Sequence, residues 1–377
     1  MNLLISCGVF HPRTGGAESL FLDLSTALAG RGHQVTVLTR HLDAGTAAHE
    51  ILDGIHVVRL AWPVPYEKLR FDRRFVLGSP RALHRTWKLL RARRVTSVCI
   101  GLLDMSAMYL LALRPLLRFR LTTYLHGAEV RALPRDSAAF RRLVGRCLAA
   151  SDAVVAVSSS LADTAVRAFP VVRDKLTVIP NGIDLARLAG AAVSTRARPY
   201  LLYLGRLAGE KNVSLIVEAF ARVADRIPDV DLVLAGSGPE REALQALARS
   251  YGLLGSRIEL CGEVDRARAF GLVKGARFLV LASDSESHPL VAIEAIAAGR
   301  AVVAPRVTGL DDMIEDAVHG ALYPPGDRDA LGELLVEYAA DGGARAAVER
   351  HLASADRSHL DLQALVDRHL RVLEPAA

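Results

Sequence analysis

The sequence predicts an α/β chain built as two doubly wound halves in tandem, each a parallel sheet covered by helices. Three observations predict it. With 377 residues the chain exceeds one typical domain of roughly 100–200 residues. Its composition, 51% hydrophobic and 23% charged, supplies two buried cores and argues against disorder. Short apolar runs alternate with longer amphipathic stretches, break at 184–199, and then start again.

Residues 3–9 read as a buried first strand: the run is short, has no basic leader, and passes into His11-Pro12-Arg13-Thr14-Gly15-Gly16, unlike a secretory signal. Further strands are expected at 34–39, 56–60, 97–100, 121–125, 153–157 and 176–179, with helices at 17–29, 82–93, 138–149 and 161–169. The stretch 184–199, rich in Ala, Arg and small residues, reads as a linker. Beyond it come strands at 200–204, 231–235, 258–261, 278–282 and 301–304, helices at 213–226, 240–251, 290–298 and 329–339, and a last helix at 359–373. The expected domains are therefore 1–184 and 199–358, with 359–377 crossing back to the first. Ligands of such folds bind at the carboxyl ends of the strands, so a cleft between the halves is the expected site.

No apolar run approaches the ~20 residues of a membrane-spanning helix. Cys7, Cys99, Cys147 and Cys261 lie far apart in apolar segments, as reduced buried thiols of a cytoplasmic protein would. Charge is uneven: residues 1–190 hold 26 Lys+Arg against 14 Asp+Glu, and 59–146 alone hold 19 against 5. This points the first half at something anionic, a lipid headgroup surface or a phosphorylated acceptor, although solvated basic helices alone would give the same count. Few aromatics accompany the basic residues, which argues against nucleic acid.

Four motifs carry chemistry. Gly15-Gly16-Ala17-Glu18 follows the first strand and opens a helix, where backbone N–H groups and the helix dipole suit a phosphate; a tight strand-to-helix turn accounts for it equally. His126 and Gly127 stand at the carboxyl end of the strand 121–125. Arg206 and Lys211, in the loop after 200–204, would clamp a diphosphate and stabilise it as a leaving group, with Asn212 opening the next helix. Glu286 and Glu294 flank Pro289, which suits the first turn of a helix; the free N–H groups there can receive phosphate, and carboxylates accept hydrogen bonds from sugar hydroxyls.

Taken in order, these motifs resemble the retaining glycosyltransferases of family 4 (glycosyl transferases group 1). The segments Ser151–Ser158, Val178–Asp184, Leu234–Glu240 and Val307–Gly309 extend the resemblance over most of the chain. It implies the GT-B fold, two Rossmann-like domains facing each other across a cleft. The first would bind acceptor and the second the nucleotide-sugar, a UDP- or GDP-sugar. It implies that Gly15 and Gly16 approach the donor diphosphate and that Arg206 and Lys211 clamp it. Glu286 and His288 would meet the sugar, Glu294 the ribose, the backbone of Leu290 and Val291 the phosphates, and Gly262 and Val264 the base. His126 would stand beside the transferred sugar, stabilising positive charge at its anomeric carbon. With His126, Arg206, Lys211 and Glu286 as the catalytic set, the leaving phosphate itself would help deprotonate the acceptor. No metal or other cofactor is expected.

The sequence departs from the family at Ser287-His288, where Gly-Phe or Gly-Leu is usual, which leaves the donor sugar open. The expected acceptor is an envelope glycolipid or polysaccharide, with peripheral contact at an anionic inner membrane face. The alternatives are a soluble natural-product or aminocyclitol acceptor and, from another class, a nucleotide-sugar 2-epimerase.

Overall fold

The computed structural model describes residues 1–12, 15–41, 45–61, 73–104, 106–127, 129–131, 138–340 and 342–375. Part of the basic stretch (62–72), Ala128, and the side chains of 73–76 and 138–139 lie outside this description. The chain divides into two compact units: Met1–Asn181 with Leu362–Ala377, and Gly182–Asp361.

Among the described residues the first unit holds an eight-stranded sheet: β1 (Asn2–Cys7), β2 (Gln34–Arg40), β3 (His49–Leu52), β4 (Ile55–Leu60), β5 (Ser97–Leu102), β6 (Arg120–Leu125), β7 (Ala153–Ala156) and β8 (Leu176–Val178). Their order is β3-β4-β2-β1-β5-β6-β7-β8, parallel except for β3, which pairs antiparallel with β4. Strand order therefore reverses between β1 and β5. The helices are α1 (Gly16–Gly30), α2 (Arg73–Ala92), α3 (Ser106–Leu117), α4 (Ala138–Ala150) and α5 (Ser159–Ala168). The central strands are apolar on both faces, with Leu4, Ile5, Val98, Cys99, Leu121 and Val154 all buried, as a sheet covered on both sides requires.

The second unit opens with α6 (Leu185–Gly190) and holds a six-stranded, all-parallel sheet among its described residues. Its strands are β9 (Tyr200–Leu204), β10 (Asp231–Ala235), β11 (Ile258–Gly262), β12 (Phe278–Val280), β13 (Ala301–Pro305) and β14 (Gly320–Tyr323). The order β11-β10-β9-β12-β13-β14 reverses between β9 and β12. Covering helices are α7 (Val213–Val223), α8 (Arg241–Ser250), α9 (Arg266–Gly275), α10 (Leu290–Ala297), α11 (Arg328–Ala339) and α12 (Gly343–Ser354). The last helix, α13 (Leu362–Leu373), belongs to the first unit, where Arg368 Nη2 donates to the Val178 carbonyl at 2.7 Å and Ser97 Oγ to that of Leu373 at 2.5 Å.

Several elements differ from the sequence reading. The stretch 184–199 is no open linker. Asp184 caps α6, accepting from Arg187 N at 2.8 Å, and Lys274 Nζ donates to the Ala189 and Ala191 carbonyls at 2.8 and 2.5 Å. Gly271 of α9 lets the backbone of this stretch come close: a Cβ there would lie 2.6 Å from the Ala192 carbonyl oxygen. The first strand ends at Cys7 rather than residue 9, the strand at 278 ends at Val280, and α2 begins at Arg73, running through Pro80. Cys261 is half-buried, with Sγ 3.1 Å from Glu259 Oε1, while the other cysteines are buried. Among the described residues no helix is long and apolar enough to cross a membrane.

Candidate active site

In both units the predicted residues gather at the carboxyl ends of strands. In the first unit Gly15 is the N-cap of α1 and Gly16 its first residue. The Glu18 carboxylate folds back onto Gly15, so that a Cβ there would lie 2.3 Å from Oε2; a Cβ on Gly16 would meet no described residue within 4 Å beyond its chain neighbours and its own helix. The open approach to this turn is thus at Gly16.

His126 follows β6. Its backbone N–H and that of Gly127 both donate to Glu129 Oε2 at 3.0 Å, and Glu129 is buried, which fixes the turn. Burial pushes the imidazole pKa down, against the smaller raising effects of Glu129 and of a hydrogen bond to the Gly101 carbonyl. Among the described residues Nε2 is buried without a hydrogen-bond partner. A neutral imidazole with one bare nitrogen can place a lone pair or an N–H against a ligand, but it is not a resident cation.

Between the ends of β1 and β5 lies Asp104, which the sequence reading missed. It is buried, and burial pushes its pKa up, opposed by hydrogen bonds from Ser106 and by the charge of Arg40. The Ser106 amide donates to Oδ1 at 2.9 Å, and the Ser106 hydroxyl, also bonded to Oδ1, lies 2.9 Å from Ser6 Oγ. An Asp just past a buried strand, with Ser two residues on, was the available signal. Its position at the reversal of strand order is where ligands of such sheets bind.

In the second unit the reversal between β9 and β12 brings Lys211 and Glu286 together: Nζ to Oε1 is 2.6 Å. Ser283 Oγ donates to the same oxygen at 2.7 Å, and the Asp284 amide to the Glu210 carbonyl at 3.1 Å, which ties the two loops. Asn212, at φ 47°, ends the turn holding Lys211 and caps α7. Arg206 does not join this cluster. It pairs with Glu210 while 66% exposed, a surface pair that contributes little to stability.

Pro289 is the N-cap of α10 rather than a residue of its first turn. Leu290 and Val291 open the helix ahead of Ala292 and Ile293, whose amides reach the Pro289 carbonyl at 3.2 and 3.4 Å. Glu294, one turn further in and buried, lies 3.8 Å from Arg266 Nη2, and Arg266 stacks over Phe270 at 4.9 Å. Arg266 is a second residue that the sequence reading missed; it opens α9, just after Gly262 and Val264. His288 is half-buried, and desolvation lowers its pKa to about 4 against the raising charge of Asp312.

A family model described as glycosyl transferases group 1 matches residues 192–351, and one described as glycosyltransferase family 4 matches 14–187. A glycogen synthase of Mycobacterium tuberculosis is 30% identical over 95% of this chain and 85% of its own. The chain is a family 4 glycosyltransferase. A D-inositol 3-phosphate glycosyltransferase of Xylanimonas cellulosilytica is also 30% identical, over 91% of this chain and 88% of its own. Among solved structures, Anabaena HepE in complex with UDP and glucose superposes with a TM-score of 0.79 at 16% identity, covering 98% of each chain. The fold of this glycosyltransferase is GT-B, with two Rossmann-like domains. Among the described residues, groups placed to act on a ligand include Gly16, Asp104 and His126 in the first unit and Lys211, Glu286, Glu294 and Arg266 in the second, where His288, exposed Arg206 and the amides opening α10 stand on neighbouring loops.

Proposed function

We propose that the protein transfers a sugar from a nucleotide-sugar to an acceptor hydroxyl with retention of anomeric configuration and without a metal. The Lys211–Glu286 contact of 2.6 Å carries this reading. It holds a cation and a carboxylate at the switch point of the second sheet, beside the amino end of α10. Lys211, with Arg206, meets the diphosphate and stabilises its charge as the glycosidic bond breaks. The N–H groups of Leu290 and Val291 take phosphate oxygens, Glu286 takes sugar hydroxyls, and Glu294, steadied by Arg266, takes the ribose. Gly262 and Val264 lie beside the base, and His288 beside the sugar. His126, neutral by burial, offers its ring to the anomeric centre, and the leaving phosphate receives the acceptor proton. HepE, solved with UDP and glucose, supports a UDP-sugar as donor, with GDP-sugars next. Proton NMR of the product tests the chemistry: the donor's anomeric configuration, at an unchanged rate in EDTA, is expected. Inversion, or a strict metal requirement, would overturn it. Epimerisation of donor alone would reassign the protein to the 2-epimerases.

The acceptor reading rests on charge. Helix α2 exposes Arg81, Arg85, Lys88 and Arg91, with Arg91 over the Trp87 ring at 5.2 Å. A lipid-linked or polysaccharide acceptor at an anionic membrane face fits this surface. Co-sedimentation with anionic rather than neutral vesicles, weakening with salt, is the expected result; equal binding to both would remove the membrane from the account. The inositol phosphate named for the Xylanimonas relative supports a second reading, a soluble phosphorylated cyclitol.

A further inference from the structure

Alternate residues of β6 share one side of the sheet. Arg120 Nε and Thr122 Oγ1 each donate to the Val372 carbonyl at 2.8 Å, and the Tyr124 hydroxyl shares a 2.8 Å hydrogen bond with His369 Nδ1. The next residue in this alternation is His126. The Tyr124 ring lies nearly parallel to both histidines, 5.8 Å and 18° from His369 and 6.5 Å and 16° from His126. Phe21 of α1 meets Tyr124 and His126 edge-on, each at 5.4 Å.

We propose that His369 is a positioning residue for His126, acting through Tyr124: its hydrogen bond fixes the tyrosine ring, and that ring sets the plane of the His126 imidazole. The inference rests on the reading that His126 stands beside the transferred sugar. Tyr124 is fully buried, so its hydroxyl must find a partner inside the protein, and His369 is that partner. A close-packed interior passes the restraint on to the next ring. Among the described residues, polar contacts hold the His126 ring only weakly, Nε2 having no partner and the other nitrogen meeting the Gly101 carbonyl, so its orientation rests on the packed rings of Phe21 and Tyr124. Docking of α13 does not itself call for a histidine. Leu362, Leu365, Val366 and Leu373 already bury its apolar face, whereas His369 leaves Nε2 buried without a hydrogen bond, a cost an apolar residue would avoid. Burial lowers the His369 pKa to about 4, so its bond to Tyr124 joins two neutral groups at neutral pH.

The test uses the full chain and two readouts. In ¹⁵N imidazole spectra without substrate, the His126 signals, assigned by their loss in His126→Gln, are expected to move in Tyr124→Phe and His369→Leu. They should return in His369→Asn, whose amide stands in for Nδ1. Leu362→Ala, which loosens α13 two turns away from His369, should not move them. Hydrolysis of UDP-, GDP-, ADP- and TDP-glucose is the second readout: kcat for the one turned over should fall about tenfold in Tyr124→Phe with KM unchanged, as misplacing a reacting group does. Signals unmoved in Tyr124→Phe overturn the inference, and this variant decides the matter if His369→Leu fails to fold. Hydrolysis lost in His126→Ala but kept at the parent rate in Tyr124→Phe and His369→Leu also overturns it. Full hydrolysis by His126→Ala sinks the reading of His126 instead, and the spectra still decide the coupling.

Discussion

Lys211 and Glu286 hold one another in the absence of donor, each supplying the charge the other needs at a half-buried site. Removing either leaves its partner without that charge, so both substitutions weaken the site by more than a lost contact with ligand. Lys211→Ala is expected to weaken donor binding by about 1.5–3 kcal/mol, roughly 10- to 150-fold in Kd, without unfolding the protein. Glu294→Ala should do the same, and Arg266→Ala a fraction of it, because Arg266 acts through Glu294. Calorimetric titration checks all three; unchanged affinity in both Lys211→Ala and Glu294→Ala would remove the site assignment. Lys211 and Glu286 were legible in the sequence because each follows an apolar strand in a loop that leads into a helix, and Glu294 through its spacing from Glu286. Asp104 and Arg266 were not. Each is a lone charged residue whose significance comes from a neighbour distant in sequence: Asp104 from the adjacent end of β1, Arg266 from Glu294 on another helix.

Loops at the strand ends keep these residues in place by close backbone contact. Gly309, at φ 93°, faces the backbone of Glu286, where a Cβ would lie 2.2 Å from the carbonyl oxygen. Gly309→Ala is therefore expected to destabilise the second unit by about 1–3 kcal/mol and to shift Glu286, lowering activity beyond the loss of folded protein. A thermal midpoint and activity both at the parent value would refute that contact. At this scale the strands were easiest to read, since a short apolar run bounded by turn residues suits a strand buried on both faces and little else. Helix α3 escaped because its apolar residues show no polar face and Pro115 interrupts it. Strands β3 and β14, four residues each, are too short to establish a period. Helix α6 is stabilised by one cap and by Lys274, a partner more than eighty residues away in sequence.

On the scale of the whole molecule, desolvation lowers the pKa of two histidines to about 4, buried His369 in the first unit and half-buried His288 in the second. Above pH 6.5 both are neutral in folded and unfolded chains alike, and stability is undiminished. As the pH falls from 6.5 toward 4, only the unfolded chain takes up these protons, so stability declines by up to about 3 kcal/mol per group. Urea unfolding at pH 7 and pH 5 should show the decline, and His369→Asn should flatten its share; a pH-independent midpoint would contradict the lowered pKa of both groups.

The most direct test of the central claim is calorimetry of UDP-, GDP-, ADP- and TDP-sugars without added metal. Saturable binding of one nucleotide class, weakened at least tenfold in Lys211→Ala and in Arg206→Ala, is the predicted result. Binding that needs a divalent ion, or that survives both substitutions, would contradict the clamp, and no binding by any of the four would contradict the nucleotide-sugar reading itself.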